Sequence, residues 1–112
     1  MPAETPQAPD GEHPRRHEIL IGLHVTDDAG YTRYRAGMTP LLEAMGGFFR
    51  VDYRVSEQLQ PMSDTPHNRV FILSFPDRAT KEAFFSDPDY LAVRAEHFEP
   101  AVDLVDELAV IT

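Results

Sequence analysis

His24, Tyr31 and Tyr34 are the side chains of this sequence whose types and spacing come closest to a reactive constellation. An imidazole with a pKa of about 6.5 exchanges protons near neutrality, so His24 is the candidate catalytic acid–base group. Two tyrosines three residues apart share one helical face, and their phenols can orient a carbonyl or phenolic ligand. Each residue also has a plainer reading. A histidine at a strand end or an interface is often simply hydrogen-bonded, and paired tyrosines are often core rings with a wet hydroxyl tip.

Asp52 and Arg69 complete the candidate ligand-binding set. Arg50, Asp52 and Arg54 alternate along one strand and can flank an anion. The same alternation also describes an ion-paired or intersubunit surface, where exposed pairs contribute about 0–1 kcal/mol. Arg69 is expected to pair with Asp52 or Glu57 across strands, as a structural contact. Tyr90, Arg94 and His97 read as a polar patch on the last helix or as a plain surface cluster, and Phe84 and Phe85 read as packing residues. No tight ligand cluster for a metal and no glycine-rich phosphate loop is present. Ser56, Ser63, Ser74 and Ser86 lack the G-x-S-x-G elbow of a serine hydrolase. Neither a cofactor nor a metal is expected.

The elements that must position these groups are legible in the hydrophobic pattern. Ile19, Ile21, Leu23 and Val25 alternate with Glu18, Leu20, Gly22 and His24, the period of a strand. Thr26-Asp27-Asp28 supplies a helix cap. Tyr31, Tyr34, Met38, Leu41, Leu42 and Met45 then form one helical stripe. Pro40 inside that helix predicts a kink near Ala36–Gly37, and Gly46-Gly47 stops it. Phe48 to Val55 reads as a second strand with Phe49, Val51, Tyr53 and Val55 on one face. Gln60 to Asn68, with Pro61 and Pro66, is a loop. Arg69 to Phe75 is the third and most apolar strand. Asp77 caps a helix over Ala79–Phe85, and Asp87-Pro88 opens another carrying Leu91, Arg94, Ala95, Phe98 and Val102. Pro100 disturbs its end, and Leu104 to Ile111 is the last strand.

This order predicts an α+β, β-α-β-β-α-β domain, with a four-stranded antiparallel sheet and its helices on one face. Leu20, Val70 or Phe71, and Ala109 or Leu108 are then left on the other face, which a second copy of the chain would cover. Residues 1–16, with Pro2, Pro6, Pro9 and Pro14 and no apolar period, read as a disordered tail. Residues 17–112 read as the single folded domain, a natural size for one.

The chain has 112 residues, no cysteine and a formal net charge of −9. That acidity repels phosphate backbones and anionic membrane surfaces, so neither nucleic acid nor membrane is an expected partner. The absence of cysteine, of a secretory leader and of a membrane span fits a cytoplasmic setting.

Tyr31 and Tyr34, Pro40, Gly46-Gly47, Glu57 and Leu59, Arg69, Phe75-Pro76, and Phe84-Phe85 with Pro88 and Tyr90 form a spaced set. Through it the sequence resembles the domain of unknown function 1330 family, within the dimeric α/β-barrel superfamily. The resemblance spans about Ile19 to Ile111. It implies a ferredoxin-like fold and a homodimer paired sheet to sheet, and it implies no activity. Asp52 stands where an arginine usually follows the glycine pair. Gln60-Pro61 replaces Glu-Gly, Ser74 replaces a glutamate, and His97 falls where an arginine is common.

Three functions are consistent with these features. The first is a homodimer that binds a small, partly apolar molecule between helices and sheet. The second is a cofactor-independent, monooxygenase-like or isomerase-like enzyme on a phenolic or carbonyl substrate, with His24 as acid–base group. The third is a purely structural interaction module. A ligand is expected where the first strand passes into the first helix, with His24, Tyr31 and Tyr34 converging on it. Tyr34→Phe is expected to leave folding almost unaltered.

Overall fold

The computed structural model describes residues 16–111. Residues 1–15, nearly all of the expected tail, lie outside that range, as does Thr112. Arg16 is the first described residue. Its guanidinium donates to the Ser74 hydroxyl (2.7 Å) and to the Gly46 carbonyl (2.7 Å).

Strand β1 (His17–Val25) alternates as its sequence predicts, burying Ile19, Leu23 and Val25 on one side. The chain then turns at Asp27, whose side chain accepts from the Gly30 amide and starts helix α1 (Asp28–Ala44). Tyr31, Tyr34, Met38 and Leu42 are its buried stripe. The helix runs unbroken through Pro40, so the expected kink does not interrupt it. A proline removes one backbone bond, and buried residues on both sides, Met38 and Leu42, keep the segment seated against the core. The helix ends at Ala44, and just past its cap Gly46 has a φ of 83°, a left-handed conformation that glycine adopts without a Cβ penalty.

Strand β2 (Phe48–Arg54) and strand β3 (Arg69–Phe75) follow. Next come helix α2 (Arg78–Ser86), capped by Asp77, and helix α3 (Pro88–Val93), capped by Asp87 with Pro88 in its first turn. Helix α3 runs on into a π-helical turn, Arg94–Phe98. Strand β4 spans Val102–Val110, so Val102, read from the sequence as helical, begins the last strand. The sheet order is β2-β3-β1-β4, with every neighbouring pair antiparallel. The helices cover one face, over a core that includes Ile19, Leu23, Phe71, Leu73, Phe75, Phe84, Tyr90 and Phe98.

Strand β2 departs from strict alternation. Its register against β3 shifts between Phe49 and Val51, so Arg50 is an extra residue. Phe49, Asp52 and Arg54 therefore pair with Leu73, Phe71 and Arg69, on the helix side, while Val51 and Tyr53 pair with Ile72 and Val70 on the open side. The predicted face of Phe49, Val51, Tyr53 and Val55 is thus divided by the bulge. On the open face Leu20 meets Ile72 and Ala109, and Gly22 meets Val70. Phe71 belongs to the core instead.

The β2–β3 connection folds back onto this open face. His67 is buried, and its ring lies so close over Gly22 that a Cβ there would come 2.9 Å from the imidazole. Its Nε2 is 2.7 Å from the Asp106 carboxylate on β4, and its amide donates to the Gln58 side chain.

Candidate ligand site

Three chain segments converge at the end of the sheet where β1 passes into α1. Helix α1 contributes Asp28 from its first turn, β2 ends in Arg54, and β3 begins with Arg69. Both Asp28 oxygens accept from Arg54 (3.3 Å each), and Oδ1 also accepts from Arg69 Nη1 (3.1 Å). The bond from Arg54 is the largest influence holding the Asp28 carboxyl below the usual aspartate range, with the charges of Arg54 and Arg69 adding to it. Arg69 thus takes Asp28 as its partner, in place of the expected Asp52 or Glu57. Beside this clamp lies a cleft of about 260 Å³, lined by Val25, Asp28, Arg54, Val55, Ser56, Asn68 and Arg69.

Behind the clamp the helix side of the sheet holds Arg69 in place. Its guanidinium carbon lies 4.7 Å from the centre of the Tyr31 ring, a cation–π distance. Its Nε is buried and makes no hydrogen bond. The Tyr31 hydroxyl accepts from Arg35 Nη1 (3.0 Å), and Arg35 Nη2 reaches Asp52 at 2.5 Å. Arg35 also stacks 3.7 Å over the Phe49 ring. Burial raises the Tyr31 pKa, so the phenol stays neutral next to two guanidiniums. Burial alone would lower the Arg35 pKa, but its bonds to Asp52 and Tyr31 outweigh this and raise it. The result is a fixed column, Asp52–Arg35–Tyr31–Arg69, that ends at the cleft.

Of the residues singled out from sequence, Tyr31, Asp52 and Arg69 are brought together in this column. His24 is not. It lies between Leu23 and Val25, both buried on the helix side, and so faces the open side, where its Nδ1 is 2.7 Å from the Pro66 carbonyl oxygen. Strand alternation places it across the sheet from the tyrosines. Tyr34 turns from the cleft into the core, with its hydroxyl 2.9 Å from that of Tyr90. Burial first, and the neighbouring Tyr90 phenol second, push the Tyr34 pKa far above the ordinary tyrosine value. His97 lies near Glu96 (3.8 Å), away from the cleft, and Ser74 accepts from Arg16. Among the described residues no group of three or more His, Cys, Asp or Glu side chains is placed to hold a metal ion.

Sequence reasoning missed Arg35, Asp28 as an arginine partner, and His67. Arg35 had a usable signal, since it follows Tyr31 by four residues and so shares its helical face. Asp28 carries only a capping signal in the sequence. His67 had none, because its contacts with Gly22 and Asp106 are distant in the chain.

The buried Tyr34–Tyr90 pair also reverses the expectation for Tyr34→Phe. Removing the hydroxyl leaves that of Tyr90 without a partner inside the core, and the variant is expected to lose about 1–3 kcal/mol of stability. Urea unfolding monitored by circular dichroism measures this directly, and an unchanged midpoint would show that the pair contributes nothing.

The β-α-β-β-α-β order and the antiparallel β2-β3-β1-β4 sheet with one helix-covered face define a ferredoxin-like α+β protein. The chain belongs to the family described as Domain of unknown function (DUF1330), whose model matches residues 19–104. Among solved structures it is similar to a protein of unknown function from Rhodopseudomonas palustris, at 19% identity and a TM-score of 0.72, over 88% of this chain and 80% of that one. A putative antibiotic biosynthesis monooxygenase from Bacteroides thetaiotaomicron aligns at 13% identity and a TM-score of 0.56, over 88% and 90% of the two chains. A dimeric ferredoxin-like protein of unknown function from Jannaschia sp. aligns at 15% identity and a TM-score of 0.52, over 86% and 100%. At these identities the likeness is one of fold. No curated protein matches the chain. No described helix is long and apolar enough to cross a membrane.

Proposed function

We propose that this protein is a small homodimeric domain that binds a small, partly apolar molecule in the cleft between the start of α1 and the ends of β2 and β3. The observation that carries this reading is the mixed lining of the cleft. Val25 and Val55 supply apolar wall, while Arg54, Arg69, Ser56 and Asn68 bring polar groups to one place. A concave site with apolar walls and a few convergent polar groups is the usual form of a small-molecule site. Its volume of about 260 Å³ falls just under the roughly 300–1,000 Å³ of typical sites, which favours a compact ligand.

Binding fits this lining better than proton transfer does. The cleft has no histidine, and Asp28, held below its ordinary pKa by Arg54, is a weak base at neutral pH. His24, the acid–base candidate, faces the other side of the sheet. That open face carries Leu20, Val51, Val70 and Ile72, and the reading assigns it to a second copy of the chain; the structurally similar protein from Jannaschia is described as dimeric. A cytoplasmic setting belongs to the same reading and suits a chain without cysteine.

The test is a fragment screen of the isotope-labelled chain by two-dimensional NMR. Hits are expected to shift the amides of Val25, Val55, Ser56 and Asn68 together. Hits that cluster elsewhere, at His24 and the open face for example, would overturn the placement.

A further inference from the structure

Asp28 occupies the cleft in a revealing way. Two guanidiniums grip one carboxylate, with Arg54 contacting both oxygens and Arg69 sharing one of them. Paired guanidiniums are a favoured cradle for a planar carboxylate. The partners of this contact differ in freedom: the Asp28 side chain is 58% exposed and hangs from the first turn of a helix, Arg54 is 70% exposed, and Arg69, at 13%, is the fixed member. Arg69 is further held over the Tyr31 ring, which is itself bonded to Arg35 and through it to Asp52. Arg69 therefore cannot follow Asp28 if that carboxylate swings outward, and its charge would be left facing the cleft.

The local charge points the same way. Of the charged residues lining the cleft, two are arginines and one is an aspartate, a balance of +1 in a chain with a net charge of −9. An anion is repelled by most of this surface and attracted here. Building on the reading of the cleft as a ligand site, we propose that its ligand is a small monocarboxylate that displaces Asp28 from Arg69 and Arg54. Asp28 is then a built-in competitor that fills the clamp when no ligand is present. The ligand's apolar part lies against Val25 and Val55, and Ser56 and Asn68 border it.

The probes are benzoate and its uncharged analogue benzamide, titrated into the full chain with amide shifts followed at Val25, Val55, Ser56 and Asn68. Benzoate is expected to bind the wild-type protein at least about tenfold more tightly than benzamide, the effect of one charge-assisted hydrogen bond. Asp28→Asn is expected to tighten benzoate about tenfold again and leave benzamide unchanged, while Arg54→Gln and Arg69→Gln should each erase the preference for benzoate. Asp28→Ser provides the same comparison should the asparagine variant fold poorly. Equal affinities for the two probes, or no gain for benzoate in folded Asp28 variants, would overturn the carboxylate assignment and leave the cleft as a site for neutral ligands. Shifts confined to other parts of the protein with both probes would remove the site and this inference together.

Discussion

Replacing Phe84 by alanine is expected to cost about 3–5 kcal/mol of unfolding free energy, the range for deleting a fully buried phenyl ring. Phe84 is completely buried, and its ring centre lies 4.5 Å from Tyr90, 5.2 Å from Phe85 and 5.9 Å from Phe75. That cluster ties α2 and α3 to β3, so no single neighbour can move in to fill the space. The large loss comes from the cavity added to the lost transfer energy. A domain of this size has about 5–15 kcal/mol in total. The variant should therefore unfold at a much lower urea concentration and fall close to marginal stability. Phe84→Leu, which keeps most of the volume, should lose far less. Equal losses for the two variants would show that ring packing is not what holds the helices to the sheet.

Ile72→Asp should have the second large effect, on assembly rather than on folding. Ile72 sits mid-strand on the open face, between Leu20 on β1 and Val51 on β2. In the proposed sheet-to-sheet dimer it lies deep in the contact, where an unpaired carboxylate costs several kcal/mol. In a free monomer the same side chain meets water and costs little. Light scattering is expected to give about twice the 12.7 kDa chain mass for wild type and a single chain mass for Ile72→Asp. The far-ultraviolet circular dichroism spectrum should remain that of the folded protein. A variant that stayed dimeric would place the contact on another surface, and a wild-type monomer at micromolar concentration would remove the dimer altogether.

The elements were legible because their signals are local. An alternating run such as Ile19 to Val25 reads as a strand on its own, and the caps Asp27, Asp77 and Asp87 bond to amides only three residues ahead. The spaced set from Tyr31 to Tyr90 was enough to indicate the family and the ferredoxin-like fold. Strand β3 matched its predicted bounds, Arg69 to Phe75. The misreadings fall where a neighbour overrides the pattern. The bulge at Arg50 depends on pairing with β3, and it moves Asp52 and Arg54 to the side of the sheet that carries Phe49. The π-helical turn at Arg94–Phe98 and the start of β4 at Val102 likewise depart from the helical pattern read across Leu91 to Val102.

The candidate site shows the same division. The sequence by itself singled out Tyr31, Asp52 and Arg69 by type and spacing, and it left out Arg35 and the pairing of Asp28. Only the tertiary structure decided which of them meet. It joined Asp52 to Tyr31 through Arg35, set Arg69 beneath the Tyr31 ring and gave it Asp28 as a partner. It also separated His24 from the tyrosines. The reason is geometric. Successive side chains of a strand point to opposite faces, so His24, one residue from the buried Leu23, is close to the helix in sequence and across the sheet from it in space. Periodicity can assign a residue to a face. Which groups face one another across the fold depends on strand register and helix packing, and these arise between segments more than ten residues apart.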